Sequence, residues 1–166
     1  MTVITKEAAE VVEKFRKSGL TLSFAESCTG GMAGASVTEI SGASDIFYGS
    51  AVTYINEAKE KILGVSCETI ERYGAVSEQC AAEMALGSRR IYGSDIAVSI
   101  TGIAGPCGGS DEKPVGTVWF GVSSRRGERT FMHRFNGKRA EVRESSVLCA
   151  LSAALDEACC LSECEK

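Results

Sequence analysis

Histidine and tryptophan each occur once in this sequence, histidine as His133, and proline only twice. One histidine leaves no histidine-rich ligand set. The tail thiols Cys159, Cys160 and Cys164 lack the paired C-x-x-C knuckles of a zinc site, so no metal and no cofactor are expected. Long apolar runs are also missing: none approaches the roughly 18 residues that span a bilayer. Residues 5–18 alternate charged and apolar side chains like a surface helix rather than a signal peptide. No membrane association and a cytoplasmic location are the resulting expectations. Positive charge is not in excess: the net charge of -4 argues against a general nucleic-acid binder, whose binding face is normally basic. Without a secretion signal, the 8 cysteines do not read as a disulfide framework. Cys28, Cys67, Cys80, Cys107 and Cys149 stand among small or apolar neighbours and are expected mostly as buried, reduced thiols.

What is present is an ordinary globular composition, 44% hydrophobic and 24% charged over 166 residues, enough for one real core. No linker, low-complexity stretch or internal repeat interrupts it. Residues 1–166 are therefore expected to form a single domain, with 159–166 as a frayed tail.

Ala8, Val11, Val12 and Phe15 recur at helical spacing within 5–18, and Gly19 is a natural stop. Residues 20–25 read as a buried strand, 32–40 as a helix and 50–55 as a second strand. Asn56 is a suitable cap for a short helix ending at Gly64, and Ser77 for one running to about Tyr92. An apolar strand follows at 95–101. Residues 115–123 and 129–135 read as a hairpin around the charged turn at 125–128, before an amphipathic helix from Arg139 to about Cys160. Alternating strands and helices followed by a hairpin predict a three-layer α/β/α domain with a mixed, mostly parallel sheet.

Four segments are candidates for chemistry. In AESCTGG (25–31) a buried strand breaks at Ser27, with Thr29, Gly30 and Gly31 ahead of the next helix. Glycines there allow close backbone approach, and N–H groups at a helix start can face an anion or oxyanion. A capped polar turn is the alternative. Lys59 falls at the third position of the helix expected to start after Asn56, where the macrodipole disfavours a cation and lowers its pKa. A neutral lysine is a competent base toward a serine, although on its own a solvated surface lysine is the commoner outcome.

The glycine-rich segment from Thr101 to Thr117, including Gly102 and Gly105, follows a strand at the sheet end where α/β proteins bind ligands. A flexible surface loop is the alternative there. Arg139 and Arg143 share one helix face, suited to a phosphate or to pairing with Glu141 and Glu144.

The ordered set AESCTGG (25–31), SGAS (41–44), VTYINEAK (52–59), LGV (63–65), GAVSE (74–78), TGIAGPCGGSDEKPVGTVWFGV (101–122) and FNGKR (135–139) resembles the CinA C-terminal domain family, the nicotinamide-nucleotide amidases. The resemblance covers nearly the whole chain. It implies an α/β/α fold, no metal, and hydrolysis of the carboxamide of nicotinamide mononucleotide (NMN) to nicotinate mononucleotide and ammonia, in pyridine-nucleotide salvage. Many relatives carry a further N-terminal domain; here Met1 is followed almost at once by the first helix, so the stand-alone form is expected.

The resemblance also places Ser27, Ser44, Tyr54, Lys59, Thr101 and the Arg139/Arg143 region in the active site. On that basis Ser27 attacks the amide and Lys59 takes its proton. Tyr54 orients Lys59 or shares the relay, backbone N–H groups at 29–31 or 101–105 hold the oxyanion, and Arg139 or Arg143 binds the 5′-phosphate. Ser44 is a rival nucleophile, alone or in a Ser–Ser–Lys relay. A non-catalytic module binding a nucleotide or a partner, of the competence or DNA-damage type, is the alternative function. Self-association, as a dimer, is also expected. Cys107 stands where relatives often carry a polar residue.

Overall fold

Thr2 accepts a hydrogen bond from the Thr5 N–H at 3.1 Å and so opens α1 (Val3–Ser18), in a computed structural model that describes residues 2–163. Ala8, Val11, Val12 and Phe15 are buried along one stripe, and Gly19, left-handed at φ 66°, closes the helix. The chain then enters β1 (Leu22–Glu26), buried at every residue. It continues through α2 (Met32–Thr38) and a single 3₁₀ turn (Ala43–Asp45) into β2 (Phe47–Val52). The short α3 (Asn56–Ala58) widens into a π turn (Lys59–Leu63), followed by α4 (Cys67–Tyr73) and α5 (Glu78–Tyr92). Then come β3 (Ile96–Gly102), β4 (Thr117–Ser124), β5 (Gly127–Arg134) and α6 (Arg139–Glu163).

The five strands form one sheet in the order β2-β1-β3-β4-β5. β1 pairs in parallel with β2 and β3, whereas β3–β4 and β4–β5 are antiparallel. The sheet is thus mixed as expected, but evenly so rather than mostly parallel, because β4 pairs antiparallel with both of its neighbours, β3 and β5. Side-chain alternation sorts the two faces. Leu22 and Phe24 of β1, with Ile96, Val98, Ile100, Val118 and Phe120, pack under α1, α2 and α6. On the other face Ala25 and Ala51 meet Cys80 and Met84 of α5, and Ser23 reaches Ser88 of α5 at 3.0 Å. Helices cover both faces, giving the three layers. A Cβ on Gly87 of α5 would land on the Leu63 carbonyl oxygen, so glycine there lets α5 lie directly against the π turn.

Several local expectations need correction. β2 spans 47–52, not 50–55, because pairing to β1 ends at Glu26↔Val52 and leaves Tyr54 and Ile55 exposed beyond it. α4 was not foreseen; only Thr69 of its residues is buried, so it carries almost no apolar stripe. The expected frayed tail is helical through Glu163, with Leu161 in the core; Cys164 lies outside the described residues. Cys28 and Cys80 are buried, but Cys67 and Cys107 are exposed, and none of the described cysteines is in a disulfide. Among the described residues α6 is long and apolar enough, by length and composition, to cross a membrane. Uninterrupted apolar runs overlook it, and its apolar side, including Val147, Leu151 and Ala154, is packed into the core.

Candidate active site

The connection after β1 passes over one face of the sheet through α2, and the connection after β2 passes over the other through α5. Their divergence brings the segments that follow β1 and β2 together at the carboxyl ends of these strands, the usual ligand position in open α/β sheets. Backbone bonds hold the two segments: the Ser27 N–H donates to the Ile100 carbonyl at 2.9 Å, and the Thr53 N–H to the Glu26 carbonyl at 2.8 Å. Ser27 and Thr53 therefore leave the sheet side by side.

Lys59 reaches these segments from the π turn and is 1% exposed. Its Nζ lies 3.0 Å from Ser27 Oγ, 2.8 Å from the Thr53 carbonyl and 3.4 Å from the Tyr54 carbonyl. It is not the solvated lysine that base rates favour. Burial pushes its pKa below the ordinary 10.5. The expected direction holds, but its cause is desolvation rather than a helix terminus. Asn56 is the first residue of α3 instead of its cap, and Lys59 lies at the end of that three-residue helix. Burial also pushes the Cys28 and Cys80 thiols up to about 11, so both flank Lys59 as neutral groups.

The two glycines of AESCTGG are both left-handed, at φ 60° and 96°, conformations that side-chain-bearing residues adopt at a cost. The resulting turn uses most of its own amides. The Gly30 N–H donates to the Ser27 carbonyl at 3.1 Å and the Gly31 N–H to Glu26 Oε2 at 3.0 Å. Neither is left for an oxyanion. Thr29, 0% exposed, keeps its N–H and its hydroxyl without an internal partner among the described residues, and Thr53 likewise keeps its hydroxyl.

The arginines divide their work. Arg143 donates from Nε to the Cys28 carbonyl at 3.1 Å and from Nη2 to the Thr29 carbonyl at 2.8 Å, bracing the Ser27 turn. Arg139, exposed at the start of α6, donates to the Tyr54 hydroxyl at 2.9 Å and to the Gly105 carbonyl at 2.9 Å. Tyr54 thus meets Lys59 through its main-chain carbonyl, while the residue as a whole is 56% exposed at the rim. Thr101 is buried, and its hydroxyl donates to the Ala75 carbonyl at 2.7 Å. Gly102 ends β3 opposite Val118, and Gly105 precedes Pro106 through a cis peptide bond.

Ser44 is the expected site residue that the fold does not bring here. It is exposed in the 3₁₀ turn ahead of β2, beside a groove of about 440 Å³ lined by Ile40, Ser44 and Phe47. That turn lies at the amino end of a strand whose carboxyl end carries Thr53, about 20 Å away for six residues of strand. Within one chain, Ser44 and the Ser27–Lys59 pair therefore lie at opposite ends of β2. Glu26 and Thr53 were missed by sequence reasoning. A single charged residue at the end of the otherwise uncharged LTLSFAES was the one available signal for Glu26. Among the described residues no cluster of His, Cys, Asp and Glu could hold a metal ion.

The family model described as "CinA C-terminal domain" matches residues 4–158. A CinA-like protein of Fervidobacterium nodosum is 50% identical over 87% of this chain, which spans only 36% of that protein's length. The nicotinamide-nucleotide amidohydrolase PncC of Enterobacter agglomerans is 48% identical over 90% of this chain and 92% of its own. Among solved structures, a CinA superfamily protein of Klebsiella pneumoniae superposes with a TM-score of 0.91 at 35% identity, covering 95% of this chain and 99% of that one.

Proposed function

The chain belongs to the CinA C-terminal domain family, and from that premise we propose that it is an amidohydrolase converting NMN to nicotinate mononucleotide and ammonia, with Ser27 as nucleophile and Lys59 as base. The observation that carries this reading is the environment of Lys59 Nζ. A neutral amine has two N–H donors and one lone pair. Lys59 Nζ donates to the Thr53 and Tyr54 carbonyls and to Ser27 Oγ at 3.0 Å. Once Lys59 is neutral, two N–H groups stay on the carbonyls and the Ser27 contact reverses, the hydroxyl donating to the lone pair.

Ser27 gives its proton to Lys59 as its oxygen attacks the carboxamide carbon. The Cys28 and Thr29 N–H groups, which the turn leaves without an internal partner among the described residues, stabilise the oxyanion of the tetrahedral intermediate. The Lys59 ammonium passes its proton to the departing nitrogen, and ammonia leaves behind a Ser27 ester. Lys59, neutral again, deprotonates water, whose attack releases the carboxylate and returns the proton to Ser27 Oγ.

Two further features support a phosphorylated substrate. Arg139 lies at the rim with both of its contacts on neutral oxygens, which a phosphate outcompetes as a hydrogen-bond acceptor. Arg143 is committed to the turn carbonyls, so the phosphate falls to Arg139.

Incubation with NMN, nicotinamide riboside and free nicotinamide, following ammonia, tests the proposal. Release is expected from NMN in clear preference to the riboside. Equal turnover of the riboside would remove the phosphate argument. A melting-temperature shift by NMN without ammonia would favour a binding module.

A further inference from the structure

The residue before the nucleophile is a carboxylate with no counter-ion among the described residues. Glu26 is 0% exposed, and its side chain points from the last residue of β1 toward α2. Its Oε2 accepts the N–H groups of Gly31 and Ala33, each at 3.0 Å. Its Oε1 accepts the Gly34 N–H at 2.9 Å and the Ser50 hydroxyl at 2.7 Å. Both oxygens are acceptors only, as an ionised carboxylate requires. A buried charge is tolerated when hydrogen bonds replace its hydration, and here three backbone amides and a hydroxyl do so.

The connectivity of these bonds gives them a second role. The turn Ser27–Gly31 is closed at one end by the Glu26 peptide and at the other by Gly31, whose amide is held by the same residue's carboxylate. The Ser50 hydroxyl ties that carboxylate to β2, the strand that runs on into the Thr53 and Tyr54 carbonyls gripping Lys59. The Glu26 carbonyl adds the Thr53 N–H. One residue therefore fixes both partners of the Ser27–Lys59 contact in a common frame. Space confirms the fit: a Cβ on Gly34 would lie 2.9 Å from Ser50 Cβ and 3.5 Å from Glu26 Oε1.

We infer that Glu26 is a positioning residue for the reaction, holding the Ser27 turn in register with Lys59 by occupying the amides at the start of α2. A consequence is that the substrate cannot use those amides, which leaves its oxyanion to the Cys28 and Thr29 N–H groups of the turn. The inference rests on the reading of Ser27 and Lys59 as the reacting pair, but not on the identity of the substrate. Glutamine at position 26 cannot reproduce the site, because its amide nitrogen must face an N–H donor whichever way it turns.

The test reads Ser27 reactivity directly. The rate of Ser27 modification by a fluorophosphonate probe is followed by peptide mass spectrometry in the unaltered protein, Glu26→Gln and Ser50→Ala, beside kcat and KM for NMN and the melting temperature. A displacement of about 1 Å is worth on the order of a hundredfold in rate. Glu26→Gln is expected to slow modification and to lower kcat by about that factor with KM little changed. Ser50→Ala, which removes one of the four bonds, is expected to lower both rates about fivefold by the same reasoning with the fold intact. Should Glu26→Gln fail to fold, the Ser50→Ala result decides.

A full modification rate in a folded Glu26→Gln or in Ser50→Ala overturns the inference. A fall in melting temperature alone, with reactivity retained, assigns Glu26 a structural role and overturns it too. Probe reactivity without NMN turnover in the unaltered protein refutes the proposed substrate while leaving this test in force. A Ser27 unreactive in the unaltered protein refutes both.

Discussion

Two serine-bearing turns, at opposite ends of the sheet, illustrate how little a motif says before it is placed. Ser27 follows β1 at its carboxyl end and Ser44 precedes β2 at its amino end. Both stand in short segments matching the same family. Ser27 is 8% exposed and in contact with a desolvated lysine, whereas Ser44 is exposed with no side-chain partner among the described residues. A serine hydroxyl is a weak nucleophile until a base takes its proton, so the difference lies in the neighbours rather than the residue. In the parallel part of the sheet, carboxyl ends gather the loops that carry such neighbours.

The sharpest way to break the contrast is to remove the neighbour. Lys59→Met should keep the apolar stem and delete the base, lowering kcat for ammonia release by about a thousandfold or more, in the range seen when one member of a catalytic set is lost. If turnover survives, Ser27 has no more claim than Ser44. The pH profile sharpens the same point. The base must be neutral, so kcat/KM should rise with pH through the Lys59 pKa, with the limb centred below the ordinary 10.5 because burial disfavours the ammonium. A limb at or above 10.5 would mean the lysine is solvated during turnover.

Arg139→Ala addresses the rim. Losing one charge-assisted contact should raise KM for NMN about tenfold, with a smaller effect on kcat. An unchanged KM would return the phosphate to Arg143 or elsewhere.

The smallest effect is on stability. Between its depressed pKa and 10.5, Lys59 binds fewer protons in the folded than in the unfolded chain, so its contribution to stability improves as pH rises through that window. Below the window the cost of burying the ammonium is fully present. Lys59→Met should therefore raise the melting temperature near neutral pH, and the gain should shrink toward pH 10.5. Denaturation followed at several pH values checks the slope.

Local chemistry was legible in the sequence. Gly30 and Gly31 announced a turn that needs positive φ, Gly19 announced a helix end, and the charged segment between β4 and β5 announced a hairpin, whose strands proved to extend into it. Features that depend on residues far apart were not. Arg139 finds the Tyr54 hydroxyl across 85 positions, and Arg143 braces Cys28 across 115. Lys59 is buried by a π turn that a Gly87 contact from α5 covers, and nothing in INEAKEKILG requires that turn. Glu26 was hidden because its donors meet only once the turn closes on α2 and β2 pairs with β1: Gly31, Ala33 and Gly34 nearby in sequence, and Ser50 further on. β2 was displaced because Tyr54 and Ile55 have strand propensity but no strand beside them.

The measurement closest to the central claim is ammonia release from NMN by Ser27→Ala and Ser44→Ala, assayed side by side with the unaltered protein. The account predicts that Ser27→Ala loses kcat by about a thousandfold or more while Ser44→Ala stays within about twofold. Near-normal turnover by Ser27→Ala, or its loss in a folded Ser44→Ala, would contradict it.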